Sequence, residues 1–114
     1  MSLLSSVFGN RTQVINLDSD TFNEQMKNDK DAVLIDVRTL AENEEQRIPN
    51  SILLDIMSPV FVKELDKLDR SKSYYMYCRS GSRSHHAAKQ MLQMGFEKVY
   101  NLADGIIRWN GEVE

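Results

Sequence analysis

Apolar residues in this chain fall into short runs that alternate between two spacings. Ala32 to Val37 is a run of strand length, apolar but for Asp36, which is the pattern of a strand covered on both faces. Gln13 to Leu17 predicts a shorter strand before it, and Ser51 to Leu54 a third strand after it. Ser73 to Tyr77 predicts a fourth and Lys98 to Leu102 a fifth. Between these runs the spacing turns helical. Asp18 or Ser19 can cap a helix through about Lys27, with Phe22 and Met26 facing inward. Leu40 to Gln46 predicts a short acidic helix, ended by Ile48-Pro49-Asn50. Ser58 as cap and Pro59 at the first helical position predict a third helix that carries Phe61, Val62, Leu65 and Leu68. A fourth runs from Ser84 to Met94, with Ala87, Ala88, Met91 and Leu92 on one face and Gly95 placed to cap its end. A last short helix is expected around Gly105 to Trp109.

Strands alternating with helices predict an α/β fold, an open, mainly parallel five-stranded sheet with helices on both faces. The 114 residues make one domain, 12–114, preceded by a segment, 1–11, that is expected to be flexible. Ligands of open parallel sheets bind beyond the carboxyl ends of the strands. Asp36, Arg38, Cys78 and the Ala103-Asp104-Gly105 turn all fall at such ends.

Composition narrows the function by exclusion. With 41% hydrophobic and 27% charged residues and a net charge of −3, the chain has no general electrostatic reason to seek nucleic acid or an anionic membrane. Met1 to Asn10 lacks a basic start and a long apolar run, so neither a signal peptide nor a membrane span is expected. One cysteine cannot close an internal disulfide, and a cytoplasmic address follows as the expectation. There is no Cys-x-x-Cys, and His85-His86 are adjacent rather than on one helix face, so no metal site is expected.

That one cysteine carries the candidate chemistry. Cys78 ends the fourth strand and opens Cys78-Arg79-Ser80-Gly81-Ser82-Arg83-Ser84, with a helix directly behind. Backbone N–H groups at a helix start favour negative charge, and two arginines add to that field. A thiol held there is expected to be acidic, and the thiolate is the reactive form. Taken alone, a cysteine at the end of an apolar strand is more often an inert core residue; the following run changes that balance. The three serines have ordinary roles in capping and turns, and one of them can hydrogen-bond the sulfur.

Asp36, inside an apolar run, is expected to bond backbone N–H groups or an arginine. Arg38 is either that partner or a lining residue of the site. Tyr74, Tyr75 and Tyr77 fit packing, Trp109 fits core or a pocket edge, and Glu42 to Glu45 fits a solvated helix face or a partner contact.

Three motifs together resemble the rhodanese family of sulfurtransferases in its single-domain form. They are Leu34-Ile35-Asp36-Val37-Arg38 followed by Ile48-Pro49, the Cys78 to Ser84 loop, and Asn101-Leu102-Ala103-Asp104-Gly105 with Trp109. The resemblance implies that Cys78 takes a sulfane sulfur from thiosulfate or a similar small anionic donor. The resulting persulfide then passes it to cyanide, a thiol or a protein thiol, with no metal and no organic cofactor. It further implies that backbone N–H groups of Arg79, Ser80, Gly81, Ser82, Arg83 and Ser84 cradle the sulfur, and that Arg79 and Arg83 hold the donor anion and the leaving sulfite. Asp36 and Arg38 support the site, and no histidine base is implied at His85 or His86. The sequence departs from the family pattern at Asn43, usually aromatic, at Gln46-Arg47, usually Gly-His, and at Asn50-Ser51, usually Gly-Ala. It departs again at Asp104, usually glycine. None of these changes removes a catalytic group, and Asp104 adds negative charge near the loop.

Two other functions fit some of these features. A persulfide carrier or docking module without free turnover would keep the same loop. A cysteine-loop phosphatase or arsenate reductase needs five residues between cysteine and arginine, and only four separate Cys78 from Arg83.

Overall fold

The structure is a computed structural model that describes residues 13–114. The segment 1–11 lies outside the described residues. Five strands alternate with four helices: β1 (Ile15–Leu17), α1 (Ser19–Lys27), β2 (Ala32–Asp36), α2 (Leu40–Glu45), β3 (Ile52–Leu53), α3 (Phe61–Asp66), β4 (Ser73–Tyr77), α4 (Ser82–Gln93) and β5 (Val99–Leu102). A single 3-10 turn, Ile106–Arg108, follows. The sheet order is β1-β5-β4-β2-β3, and every pairing is parallel. The fold is therefore α/β with an all-parallel sheet, as the alternating spacing predicts. β4 lies at its centre, and all five of its residues are buried.

Because side chains alternate across a strand, β2 and β4 feed two separate cores. Ile35, Val37, Tyr74, Met76 and Cys78 point to one face, where they meet Phe61 and Leu65 of α3 and Ala87, Ala88 and Met91 of α4. Leu34, Tyr75 and Tyr77 point to the other, against Phe22 of α1, Ile48 and Leu102. Helices thus cover both faces. Trp109 belongs to the second face, edge-on to Phe22 at 6.0 Å between ring centroids, so it is a packing residue.

Local chemistry explains the helix ends. Asp18 caps α1, its carboxylate accepting from the Thr21 N–H at 2.8 Å. Gly95, at φ +98°, closes α4. Its N–H bonds the Leu92 carbonyl while the Phe96 N–H bonds that of Met91, a left-handed cap that β-carbon-bearing residues rarely adopt. Two helix starts differ from expectation. The helix expected to start at Ser58-Pro59 begins at Phe61. The Ser58 carbonyl and hydroxyl take the Phe61 and Val60 N–H groups, so Pro59 sits in a turn that leads into α3. The fourth helix starts at Ser82, two residues before the expected Ser84, for a reason that lies in the site.

Candidate active site

Cys78 ends the central strand with its side chain on the α4 face, 1% exposed. Only three residues separate it from α4. The chain makes that turn because Gly81 adopts φ +98°, in the left-handed region, immediately before the first helical residue. Ser82, Arg83 and Ser84 consequently form the first turn of a twelve-residue helix rather than the tail of a loop. The free N–H groups of a first turn have no partner within their own helix. Here one of them finds the sulfur: the Ser84 N–H lies 3.3 Å from Cys78 Sγ, and the Ser84 hydroxyl also lies at 3.3 Å. The Gly81 N–H adds a third bond at 3.2 Å.

Burial pushes the Cys78 thiol up. The hydroxyl of Ser84 and the N–H groups of Ser84, Gly81 and Ser80 favour the thiolate more strongly, and the thiol titrates below the ordinary range. Ser84 is the largest of those contributors. Ser84→Ala is expected to raise the thiol pKa, because it removes the strongest of the bonds that favour the thiolate. The rate of iodoacetamide alkylation against pH measures it. An unshifted profile would show that the hydroxyl does not stabilise the thiolate.

The loop is held from behind by the turn after β5. The Ile106 and Ile107 N–H groups bond the carbonyls of Cys78 (2.9 Å) and Arg79 (3.2 Å). Asn101, 1% exposed, donates from Nδ2 to the Gly81 carbonyl at 3.1 Å and to Asn16 at 2.9 Å. The two segments meet without room for side chains: a Cβ on Gly81 would strike the Ala103 carbonyl, and one on Gly105 would strike that of Arg79. Asn101 is therefore a positioning residue, holding the carbonyl of Gly81, the residue whose N–H faces the sulfur. Its place in a sequence motif was visible, but its bond to residue 81 was not.

Arg79 and Ser80 are exposed at the loop's tip, and Arg79 forms no ion pair among the described residues. Arg83 is engaged. Its two Nη atoms bond Glu42 Oε1 and Oε2 at 2.8 and 2.9 Å, a forked pair linking α4 to α2. These bonds from Arg83 outweigh burial and hold the Glu42 carboxyl down to about 2. Glu42 also closes a capping box with Thr39. From the sequence Glu42 fits a solvated helix face or a partner contact, because nothing local connects residues 42 and 83.

Asp36 and Arg38 are partners. The fully buried carboxylate takes bonds from the Arg38 N–H (2.9 Å), Nε (2.9 Å) and Nη2 (2.8 Å). It also accepts from the Asn43 amide at 2.9 Å and the Tyr77 hydroxyl at 3.1 Å. Arg38 reaches on to the Gln46 carbonyl at 2.7 Å. This cluster ties α2 and the segment after it to β2 and β4, and it makes no hydrogen bond to the sulfur. Asn43 thus has a polar role, as Asp36's donor. Asn50 stands at φ +70°, a conformation that suits glycine and that asparagine tolerates.

His85 Nδ1 lies 3.3 Å from Asn16 Oδ1 and forms no hydrogen bond with Cys78. A hollow of about 350 Å³ opens beside the loop, lined by Asn16, Ser80, Ser82, His85 and Asn101 among others.

The site is thus a buried cysteine that accepts bonds from backbone N–H groups at the carboxyl edge of an all-parallel sheet. The chain belongs to the rhodanese-like domain family, whose profile matches residues 19–112. A sulfurtransferase of Allochromatium vinosum is 34% identical over 94 residues, covering 82% of this chain and 85% of that protein. The tRNA uridine(34) hydroxylase of Cytophaga hutchinsonii is 36% identical over 91 residues, and there the match spans 76% of this chain but 29% of the relative. Among solved structures, a rhodanese-related protein of Thermoplasma volcanium superposes with a TM-score of 0.76 at 25% identity, over 88% of this chain and 97% of that one. No helix among the described residues is long and apolar enough to cross a membrane.

Proposed function

We propose that this domain is a sulfurtransferase that moves a sulfane sulfur through a persulfide on Cys78. The observation that carries the reading is the sulfur itself, buried and accepting three hydrogen bonds from Gly81 and Ser84. A structural thiol has no use for three donors; a thiolate nucleophile does. In the first half-reaction, Cys78 thiolate attacks the outer sulfur of the donor. A new S–S bond forms, the donor's own bond to that sulfur breaks, and the electron pair leaves with the remainder, which is sulfite when thiosulfate is the donor. In the second, a thiophilic acceptor attacks the outer sulfur of the persulfide, and Cys78 thiolate leaves. The same N–H groups stabilise the thiolate before the first step and after the second.

Arg79, exposed at the rim, is the cation available to an approaching donor, while Ser80, Ser82 and Ser84 shape the turn. Acceptors include cyanide, small thiols and protein thiols, and a reducing compartment such as the cytoplasm would keep those thiols ready. Intact mass after incubation with a sulfane donor tests the proposal. A species heavier by one sulfur, mapped to Cys78 and lost on adding cyanide with release of thiocyanate, is expected. A mass unchanged by every sulfane donor would overturn it.

A further inference from the structure

Arg83, the arginine expected to grip a donor anion, already has an anion of its own. Glu42 meets it with both oxygens, at 2.8 and 2.9 Å. The Thr39 N–H and hydroxyl hold the same carboxylate from the other side, at 3.1 and 3.2 Å. The pair is one-third exposed or less at both side chains, so solvent screens it only in part. Behind it, Asp36 and Arg38 form a second matched pair, fully enclosed. Among the loop's own cations this leaves Arg79, and Asp104 stands exposed in the turn packed against the backbone of Arg79. Arg83 is therefore neutralised by Glu42, Arg79 has the unpaired carboxylate of Asp104 in the neighbouring turn, and by count the loop's two arginines are offset by two carboxylates.

Charge separates the possible donors. Attack on thiosulfate gathers three negative charges, the thiolate and the dianion, and releases sulfite as a dianion. Attack on a thiol persulfide, Cys78–S⁻ + RS–SH → Cys78–S–SH + RS⁻, gathers one. The S–S bond of the donor breaks, its electron pair leaves with RS⁻, and the proton stays on the transferred sulfur. A rim whose formal charges cancel, with Arg83 held by Glu42, suits the second reaction and gives little help to the first. Resting on the persulfide reading of Cys78, we infer that the donor class of this site is a thiol persulfide rather than an inorganic dianion, and that Glu42 sets the preference by occupying Arg83.

Glu42→Gln is the informative variant, since glutamine keeps the capping box with Thr39 and removes only the charge. The rate at which Cys78 gains one sulfur, followed by intact mass, is compared for thiosulfate, cysteine persulfide and a persulfidated uncharged peptide. In Glu42→Gln the ratio of thiosulfate to persulfide loading is expected to rise by up to about fivefold, the upper end for a partly exposed charge pair. The double variant Glu42→Gln/Arg83→Gln is expected to lose that rise, tying it to the freed guanidinium. Whichever persulfide loads wild type faster indicates whether a small thiol or a protein thiol carries the donor sulfur. An unchanged ratio in Glu42→Gln, or a rise that persists in the double variant, overturns the inference while leaving sulfur transfer intact. No sulfur on Cys78 from any donor, in any variant, overturns the persulfide reading itself.

Discussion

Cys78→Ala is expected to lose sulfur transfer altogether, to the level of the uncatalysed reaction, while the domain stays folded. Both halves of that result follow from where the sulfur sits. It is the only thiol in the chain, so no other side chain can carry the persulfide. It also ends a strand whose remaining residues stay packed, with Tyr74 and Met76 on the same face. The substitution removes one buried atom next to Ala87 and Ala88 and leaves the N–H groups of Gly81 and Ser84 without their acceptor. Such a change costs about 1–2 kcal/mol, within the margin of an ordinary domain. A thermal melt alongside the transfer assay separates the two effects. Transfer at wild-type rate in Cys78→Ala would refute the mechanism, whereas an unfolded variant would assign the sulfur a structural weight that its packing does not suggest.

Asp36→Ala has the opposite profile, with the larger loss in stability. The carboxylate is fully buried and takes five hydrogen bonds, three of them from Arg38, which is itself only 5% exposed. Removing it strands a guanidinium in a place water barely reaches and leaves the Asn43 amide short of an acceptor. Breaking a buried pair from one side costs about 3–5 kcal/mol, a large share of the roughly 5–15 kcal/mol that holds a domain together. Urea denaturation is the measurement, with the midpoint falling sharply. Asp36→Asn, which keeps one acceptor oxygen and loses the charge, is expected to fall between. Equal midpoints for wild type and Asp36→Ala would mean that the segment from Arg38 to Leu54 is anchored by something other than this cluster.

The sequence made the strands legible because a covered parallel strand is a short run of apolar and aromatic residues, as Ala32 to Val37 is but for Asp36 and Ser73 to Tyr77 is after its serine. It made Cys78 legible because strand end, glycine, serines and helix start are consecutive. What stayed hidden depends on residues distant in the chain. The start of α4 moved to Ser82 because Gly81 turns left-handed against the carbonyl of Ala103, a neighbour supplied by β5. The start of α3 moved to Phe61 because a Ser-Pro pair reads equally as a helix cap or a turn, and the backbone bonds after Ser58 chose the turn. Asp36 could have bonded backbone or arginine, and the fold uses both through Arg38. Arg83 beside a thiolate resembled an anion ligand, and only the approach of α2 shows it tied to Glu42, forty-one positions away.

The two margins of the sheet have their own consequence. Its outer strands are three and two residues long, β1 and β3, whereas the inner ones run to four and five. A long unpaired margin invites another chain to add a strand, the first step of fibrillar association. Here each margin offers too few free N–H and C=O groups to hold an extended segment in register. The domain can therefore leave the end of its sheet that carries Cys78 open without the sheet's flanks becoming sites of self-association.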